Sequence, residues 1–576
     1  MSPSNHEYDN AVIRVYSSSA TTSQKSCPTY LAAKTDYSVK RPARKKFSRF
    51  ASVAFSPFNA VLELVENHQI PLDEAFSRLP LRGDAARDIA GELIPPLHEG
   101  LLAWTHDAVR NYLRALKEDH HLQTAAGLRP AGPWVRQYPS SDAVVVNSRT
   151  RELCAWGRGY VYRHGDDTVR ELRIPAMGKA GAKRRTDAEL ATAAHVLATG
   201  SCVDRDVVDR KPGPYRGGKP FPLLPLTASS PAAVLPSRVR LVEIGCIDGL
   251  PRVLYDDTAE AAEAFFVSEA ADTLSALRRP VTEIAGRDCL DCKIRLECRR
   301  LHSAPGFLDI RDSSRPRRTW SVTSGRYFSD CPAKAHFRAL SLPPDEESEK
   351  TAFVRRGHAV HAWLKLLHGR NPRRPCAPGD LPENPDFWSA GEWTLEGEYA
   401  RNGAAMLAAH LEVCPFLDTA PDSAAYPEQT VAADDRHADV LIVADADLLY
   451  RRNGSWVYRE LKTTAGNFVA DGADLLTWYP QLALAVLLFK AGAIPAGPDS
   501  AVELELLTPL GPDIRVIDPN STSVQERAKN IIHGLTRSWH SDEEYLPTPS
   551  EKVCSRCSYQ RWCPVSPRNT PDRSAP

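Results

Sequence analysis

The chain has 576 residues, with 72 lysines and arginines against 72 aspartates and glutamates, and 42% of its residues are hydrophobic. This is the composition of a globular protein with room for several domains, and it excludes fibrous and generally disordered classes. The zero net charge removes any argument for nucleic-acid binding from overall basicity. The polar N-terminus and the short apolar run 482–489 predict neither a secretion signal nor a membrane span, so we expect a cytoplasmic protein.

Two cysteine triplets share one spacing, Cys-x2-Cys-x5-Cys, and each has a distant upstream cysteine that precedes a proline. CxxC pairs in an intracellular chain indicate metal or iron–sulfur ligation rather than disulfides. Four thiolates suit a tetrahedral zinc ion as well as a cluster, and spacing does not separate the two. The two candidate sets are Cys27, Cys289, Cys292 and Cys298, and Cys331, Cys554, Cys557 and Cys563.

The segments around these cysteines also repeat. The tetrapeptide RELR at 170–173 matches RELK at 459–462, and a strand–turn–strand–helix pattern from Val239 matches another from Val502. Internal repeats of this kind indicate two copies of one fold, although two α/β segments can also look alike by chance. We expect one copy at 10–302 and a second at 320–566, with a Pro/Ser/Arg-rich linker at 303–319 and a flexible tail at 567–576.

The first half offers little metal-binding chemistry. Its predicted hairpin has no carboxylate on the strand from Cys154 to Arg163, Glu171 lies on the second strand, and the preceding helix presents Asn59. One carboxylate cannot hold a hard divalent cation. Two basic groups could contact phosphates or could be ordinary solvated surface; they are Lys179, Lys183, Arg184 and Arg185, and Lys40, Arg41, Arg44, Lys45 and Lys46. A long Pro/Gly-rich insertion follows at 204–236.

The second half contains the most informative stretch, residues 440–464. Asn453-Gly454 between two strand-forming runs predicts a type I′ hairpin, whose register places Asp447 opposite Glu460 and Asp445 opposite Lys462. Opposed carboxylates repel unless something compensates, and Mg²⁺ or Mn²⁺ would do so. The alternative is an exposed hairpin with ordinary salt bridges.

Two flanking helices add polar side chains to this hairpin. His361 lies on a predicted helix beside its apolar stripe, where it could also be an ordinary interior histidine. Gln481 opens a later helix, where it could simply make local hydrogen bonds.

Together these elements resemble a known family. The motifs follow one another in the order Gly-x-x-x-His, an acidic residue on a strand, Glu-x-Lys and a Gln at the start of a helix, and they are enclosed by one cysteine and a CxxCx5C triplet. This order resembles the RecB/Cas4-type branch of the PD-(D/E)XK nuclease superfamily. The iron–sulfur members of that branch include the Cas4, AddB and Dna2 nuclease domains. The resemblance implies an α/β chain of two tandem restriction-endonuclease-like domains, each a central mixed sheet flanked by helices and closed by a four-cysteine 4Fe–4S cluster.

The resemblance also implies roles for single residues. His361, Asp447, Glu460 and the carbonyl of Leu461 would bind Mg²⁺ or Mn²⁺, Lys462 would orient or activate the attacking water, and the last catalytic residue would be Gln481. The sequence departs from the family at two places, because Ala485 stands where a tyrosine often follows the glutamine and Ala444 stands where a glycine often precedes the aspartate.

The predicted function is a metal-dependent deoxyribonuclease that acts on single strands or duplex ends in DNA processing, repair or phage defence. The first half would be a degenerate pseudo-nuclease that scaffolds or grips DNA. The alternative is a non-catalytic iron–sulfur DNA-binding subunit of a helicase or CRISPR-adaptation-type complex. Neither half has a P-loop motif, so a helicase or integrase would be a separate partner protein.

Overall fold

The structure is a computed structural model, and it describes residues 11–23, 26–40, 42, 49–139, 149–182, 185–224, 235–276, 282–345, 351–417, 423–466 and 474–566. Within these ranges the chain is a mixed α/β protein whose two halves each build a mixed sheet. None of the helices in the described part is long and apolar enough to cross a membrane. The predicted tail at 567–576 lies outside the described residues.

The first half contains eleven described helices and eleven described strands. The helices are α1 (Ser18–Ser23), α2 (Pro28–Thr35), α3 (Phe55–Glu66), α4 (Leu72–Ser77), α5 (Glu99–Glu118), α6 (His120–Gln123), α7 (Asp187–Thr199), α8 (Arg205–Arg210), α9 (Pro212–Arg216), α10 (Ala259–Glu269) and α11 (Ala271–Ala276). The strands are β1 (Ile13–Tyr16), β2 (Arg87–Ile89), β3 (Glu92–Ile94), β4 (Ala126–Ala131), β5 (Trp134–Pro139), β6 (Thr150–Ala155), β7 (Arg158–His164), β8 (Asp167–Ala176), β9 (Ser201–Cys202), β10 (Arg238–Gly245) and β11 (Pro251–Thr258).

The second half follows with the remaining described elements. The strands are β12 (His302–Ser303), β13 (Arg318–Trp320), β14 (Phe387–Ala390), β15 (Trp393–Glu396), β16 (Ala425–Asp435), β17 (Val440–Arg452), β18 (Ser455–Thr463), β19 (Ala501–Thr508) and β20 (Gly511–Ile517). The helices are α12 (Val322–Asp330), α13 (Pro332–Ala339), α14 (Ala352–His368), α15 (Gly397–His410), α16 (Leu475–Trp478), α17 (Pro480–Lys490), α18 (Thr522–Ser541) and α19 (Glu551–Cys554).

The main sheets of the two halves follow the same strand path. The first has the order β4-β7-β8-β10-β11 and the second has the order β16-β17-β18-β19-β20. In both, the third and fourth strands pair in parallel and every other neighbouring pair is antiparallel. A parallel pair needs a crossover connection, which contains α7 in the first half and α16 and α17 in the second. The first half adds a separate four-stranded sheet, β1-β6-β5-β9.

The predicted linker at 303–319 is built into the second half. Its ends form β12, which pairs with β16, and β13, which pairs with β17. Leu308 and Ile310 between these strands are buried in the same core as the apolar helix α17. The pairing of β12 and β13 therefore extends the second sheet by two short strands.

The two halves share hydrophobic cores. Phe337 and Trp562 of the second half pack into the core formed by α3 and α5 of the first. A Cβ atom on Gly100 of α5 would lie 2.8 Å from the carbonyl oxygen of Trp562, so this contact requires glycine. In the opposite direction, Cys289 packs on β16 and β17 of the second half with Leu301. Each cysteine triplet therefore lies against the other half of the molecule.

Candidate active site

The hairpin of β17 and β18 forms as the sequence predicts. Asn453 and Gly454 both have positive φ angles, as a type I′ turn requires, and the pairs run from Arg452–Ser455 to Leu448–Arg459. The predicted register is confirmed over these five pairs. Because the next residues carry the acidic side chains, the register decides which of them can meet.

Beyond Leu448 and Arg459 the two strands separate, and this corrects part of the prediction. Asp445 was expected opposite Lys462, but it pairs with Thr430 of β16 and forms an ion pair with Arg287. Asp447 remains at the point of separation, where its Oδ2 accepts a 2.6 Å hydrogen bond from the backbone N–H of Leu461. Continued pairing of β17 with β16 therefore withdraws Asp445 and leaves Asp447 in the gap.

Helix α14 brings His361 to this gap. The helix begins after Thr351, whose hydroxyl caps it, and a Cβ on Gly357 would lie 3.1 Å from Oγ1 of Thr463. The glycine thus lets the helix lie close to β18. Nδ1 of His361 is 3.1 Å from Oδ1 of Asp447, and the charge of Asp447 outweighs burial and raises the pKa of His361.

Glu428 is a functional candidate that the sequence analysis missed. Ligand atoms of His361, Glu428 and Asp447 all lie within 4.8 Å of one another. Glu428 has a positive φ of 53° and lies between Pro427 and Gln429, which pair with Leu448 and Ala446 in one unbroken register. This register places Glu428 opposite Asp447, and burial and the charge of Asp447 raise the pKa of Glu428. The pairing of β16 with β17 thus brings a second carboxylate to the histidine.

The buried Glu460 forms an ion pair with the half-buried Lys462 beside this group, with Nζ of Lys462 2.5 Å from Oε1 of Glu460. Burial raises the pKa of Glu460 to about 7, with Lys462 opposing the shift and Asp447 adding to it. Oε2 of Glu460 is buried and has no hydrogen-bond partner among the described residues. A buried carboxylate oxygen without a donor is costly, so this atom fits a cation.

The other predicted residues lie at the edge of this group. The carbonyl of Leu461 accepts a 3.1 Å hydrogen bond from Nζ of Lys462. Tyr479, just before α17, is close enough to Lys462 to affect its pKa, and this brings the start of that helix to the site. Gln481 is half-buried in the first turn of α17, and its Oε1 has no hydrogen-bond partner in the described part of the chain.

The donor set suits a hard divalent cation. Three carboxylates, one imidazole and a backbone carbonyl supply mainly oxygen ligands, as Mg²⁺ and Mn²⁺ prefer. The residues that fit as ligands are His361, Glu428, Asp447, Glu460 and Leu461. Residues 319–564 match the family model of the PD-(D/E)XK nuclease superfamily. This part of the chain is therefore similar to PD-(D/E)XK nuclease domains, and residues 319–564 are called the PD-(D/E)XK domain below.

Members of the PD-(D/E)XK superfamily are typically nucleases that use divalent metals, so the match agrees with the donor set. No curated protein matches the chain. The match covers just under half of the sequence and includes no residue of the first half. The PD-(D/E)XK domain contains both His361 and the hairpin of β17 and β18, whose strands separate at Asp447.

The first half fills the corresponding place with an ion network. Glu171 on β8 is fully buried and accepts hydrogen bonds from Arg173, Arg240 and Tyr162. Tyr160 pairs with Glu171, where the register of the PD-(D/E)XK domain has Asp447. Among the described residues of this half, no three metal-ligating side chains have their ligand atoms within 4.8 Å of one another. Asn59 on α3 lines a separate cleft of about 810 Å³.

Both cysteine sets come together in space. Burial raises the pKa of Cys289 to about 11, and the nearby thiols of Cys292, Cys298 and Cys27 add to the shift. In the second set, burial raises the pKa of Cys563, and Cys331, Cys557 and Cys554 add to it. Backbone N–H groups donate to sulfur in both sets, from Ile284 to Cys27 and from Thr548 to Cys331.

The predicted phosphate-contacting groups are only partly described. Arg185 forms ion pairs with Glu189 and Glu243, which occupies its guanidinium within the protein. Lys40 is exposed and lines the cleft beside α3. The residues of these groups that lie outside the described ranges are Arg41, Arg44, Lys45, Lys46, Lys183 and Arg184.

Proposed function

We propose that the protein is a Mg²⁺- or Mn²⁺-dependent deoxyribonuclease whose active site is in the PD-(D/E)XK domain. The observation that carries this proposal is the meeting of His361, Glu428 and Asp447 within 4.8 Å, beside the ion pair Glu460–Lys462. The family match supports phosphodiester hydrolysis, and the substrate we favour is single-stranded DNA or duplex ends.

Each residue has a defined task in this proposal. His361, Glu428, Asp447, Glu460 and the carbonyl of Leu461 would hold the cation, whose chemistry is Lewis-acid activation of water and stabilisation of charge on phosphate. The hydrogen bond from the N–H of Leu461 fixes the carboxylate of Asp447, so one backbone segment positions ligands on both strands.

Lys462 supplies the positive charge that phosphodiester cleavage needs. Its ammonium is held by Glu460 and by the carbonyl of Leu461, so it is oriented before substrate arrives. A preorganised charge in a partly dry site stabilises the growing negative charge on the scissile phosphate. Gln481, with a hydrogen-bonding oxygen unused within the described chain, is placed to orient the water or the DNA backbone.

We further propose that the first half is a degenerate copy of the same fold. The identical order and direction of five strands supports a tandem duplication, because chance would not reproduce the single parallel pair at the same position. Arg173 stands where Lys462 stands in the repeat, and its ion pairs with Glu171 and Asp119 consume the carboxylate that a cation would need. This half would grip DNA or support the active half.

Both cysteine sets are proposed to hold 4Fe–4S clusters, as in the Cas4-, AddB- and Dna2-type branch. No three thiols of either set lie within 4.8 Å of one another among the described residues, which is wider than a single zinc ion allows and suits a larger cluster. N–H···S hydrogen bonds, such as that of Gly286 to Cys289, are typical supports of cluster thiolates.

Cleavage of end-labelled DNA tests the proposal. With Mn²⁺, the full chain should degrade single strands or recessed ends, and Asp447→Asn or Glu460→Gln should lower the rate by roughly 10²-fold or more. The matched control is Asp445→Asn, which changes a carboxylate on the same strand outside the metal group and should cleave normally. Equal rates in all variants would refute the site.

The same assay tests the second candidate function, a non-catalytic iron–sulfur DNA-binding subunit. Two observations support that alternative. The sequence has no P-loop motif, and the described residues of the first half have no group of three metal ligands within 4.8 Å of one another. DNA binding without cleavage under every metal condition, alone and with a helicase or integrase, would favour it. Visible absorbance that bleaches with dithionite would support the clusters in either case.

A further inference from the structure

A second group of metal-ligating side chains lies away from the proposed active site. His368 ends α14, Cys376 follows in the next loop, His410 ends α15, and Cys414 lies one turn later. Their ligand atoms all lie within 4.8 Å of one another, and each residue is at most 5% exposed. Neither the family match nor the two four-cysteine sets accounts for this group.

The spacing of these atoms suits one tetrahedral ion. A zinc ion bound at about 2.0–2.3 Å separates its nitrogen and sulfur ligands from one another by about 3.3–3.8 Å. Nε2 of His368 is 3.1 Å from Nε2 of His410, and the two sulfur atoms lie within 4.8 Å of each other and of both imidazoles. Both imidazoles therefore turn the same nitrogen toward the centre, and only small movements separate the group from ligand geometry.

The surroundings also resemble those of a metal ligand set. Oε1 of Glu505 lies 2.5 Å from Nδ1 of His410, which keeps the proton on Nδ1 and presents the lone pair of Nε2 to the centre. Arg459 holds the same carboxylate at 3.1 Å. A carboxylate that orients a ligating imidazole in this way is the usual outer contact of a protein zinc site.

The charges and packing around the group also favour a closed site. Phe416, Leu448 and Tyr450 belong to the same buried cluster as the two cysteines, so water has little access. Binding of zinc displaces two thiol protons, and the two thiolates then neutralise the ion. Four protein ligands and no open position indicate a structural ion rather than a catalytic one.

We propose a structural Zn²⁺ site whose four ligands are His368, Cys376, His410 and Cys414. The ion would join the ends of α14 and α15 and, through Glu505, attach them to β19. His361 lies two turns earlier on α14, so the ion would also fix the helix that supplies this histidine. The zinc proposal does not rest on nuclease activity.

The test is a metal count on the purified full chain from zinc-containing medium. Cys414→Ala should lose one zinc per chain, and His410→Gln should do the same. Cys154→Ala is the matched control, because Cys154 is buried but lies in none of the metal groups, and it should keep the wild-type count. An unchanged zinc count in both ligand variants would overturn the proposal.

A second measurement covers ligand variants that fail to fold. Glu505→Gln keeps all four ligands and should weaken zinc affinity by roughly 10–100-fold in a chelator competition. X-ray absorption at the zinc edge of the wild-type protein should show two sulfur and two nitrogen ligands. A zinc-free protein in which Cys376 and Cys414 form a disulfide, seen as a loss of two thiols, would instead assign a redox pair and refute the metal site.

Discussion

Gly357 offers a sharp test of how α14 positions His361. Substitution by alanine favours the helix by about 0.5–1 kcal/mol, but the new Cβ would lie 3.1 Å from Oγ1 of Thr463. Such a contact forces a shift of a few tenths of an ångström, and overpacking costs about 1–3 kcal/mol. The net loss of stability should therefore be about 0–2.5 kcal/mol. His361 lies one turn further along the same helix and should move with it.

The catalytic effect should be measurable in protein that remains folded. If a 1 Å misplacement costs about 10²-fold in rate, a few tenths of an ångström should lower kcat/KM for single-stranded DNA by about 3- to 10-fold. The double variant Gly357→Ala/Thr463→Ala removes Oγ1 and should recover most of the rate, while Thr463→Ala alone controls for the loss of the hydroxyl. A wild-type rate in Gly357→Ala, or a loss that persists in the double variant, would refute the reasoning.

Three further predictions concern the rest of the molecule. Arg173→Met should destabilise folding by about 3–5 kcal/mol in denaturant titrations, because it leaves Glu171 buried and charged with one donor fewer, yet folded protein should cleave normally. Burial lowers the pKa of His336 to about 3, so below pH 6.5 this histidine takes up a proton in the unfolded chain but not in the folded one. The free energy of unfolding should therefore fall by about 2 kcal/mol at pH 5. His336→Phe should remove this pH dependence, and an unchanged pH profile in the variant would contradict the prediction. Cys289→Ala should lose the first cluster's absorbance and also slow cleavage, because Cys289 belongs to the same buried cluster as Leu441 and Val443 of β17, the strand that carries Asp447; full activity without that cluster would show that the contact is passive.

The hairpin shows how much of the site a sequence can predict. Asn453-Gly454 fixes a turn whose backbone geometry is local, so five cross-strand pairs follow from it. The point at which β17 leaves β18 is not local, because it depends on the competing pairing of β17 with β16. The sequence therefore predicted Asp447 and Glu460 as neighbours but placed Asp445 on the wrong partner.

Glu428 and the four ligands of the proposed zinc site lacked any local signal. Glu428 reaches the histidine through the pairing of β16 with β17, which no turn in the sequence predicts, and its positive φ, in a residue that is neither glycine nor asparagine, has no sequence signal. In the zinc group, Cys376 and His410 are separated by 33 residues, which no short metal motif spans. Folding of α14 and α15 against the same sheet is what brings these side chains together.

The two halves solve the same electrostatic problem in different ways. Each half has a glutamate in the middle of the third strand of its main sheet, where burial penalises the charge of the carboxylate. In the first half, three donors satisfy Glu171, so its environment is complete without an ion. In the second, Glu460 forms one ion pair, with Lys462, and has an oxygen without a donor in the described chain. Because a carboxylate satisfied by three donors gains little from a cation, these donors explain why Glu171 needs no metal ion. The incomplete pairing of Glu460 is then the feature that leaves the second half open to a cation.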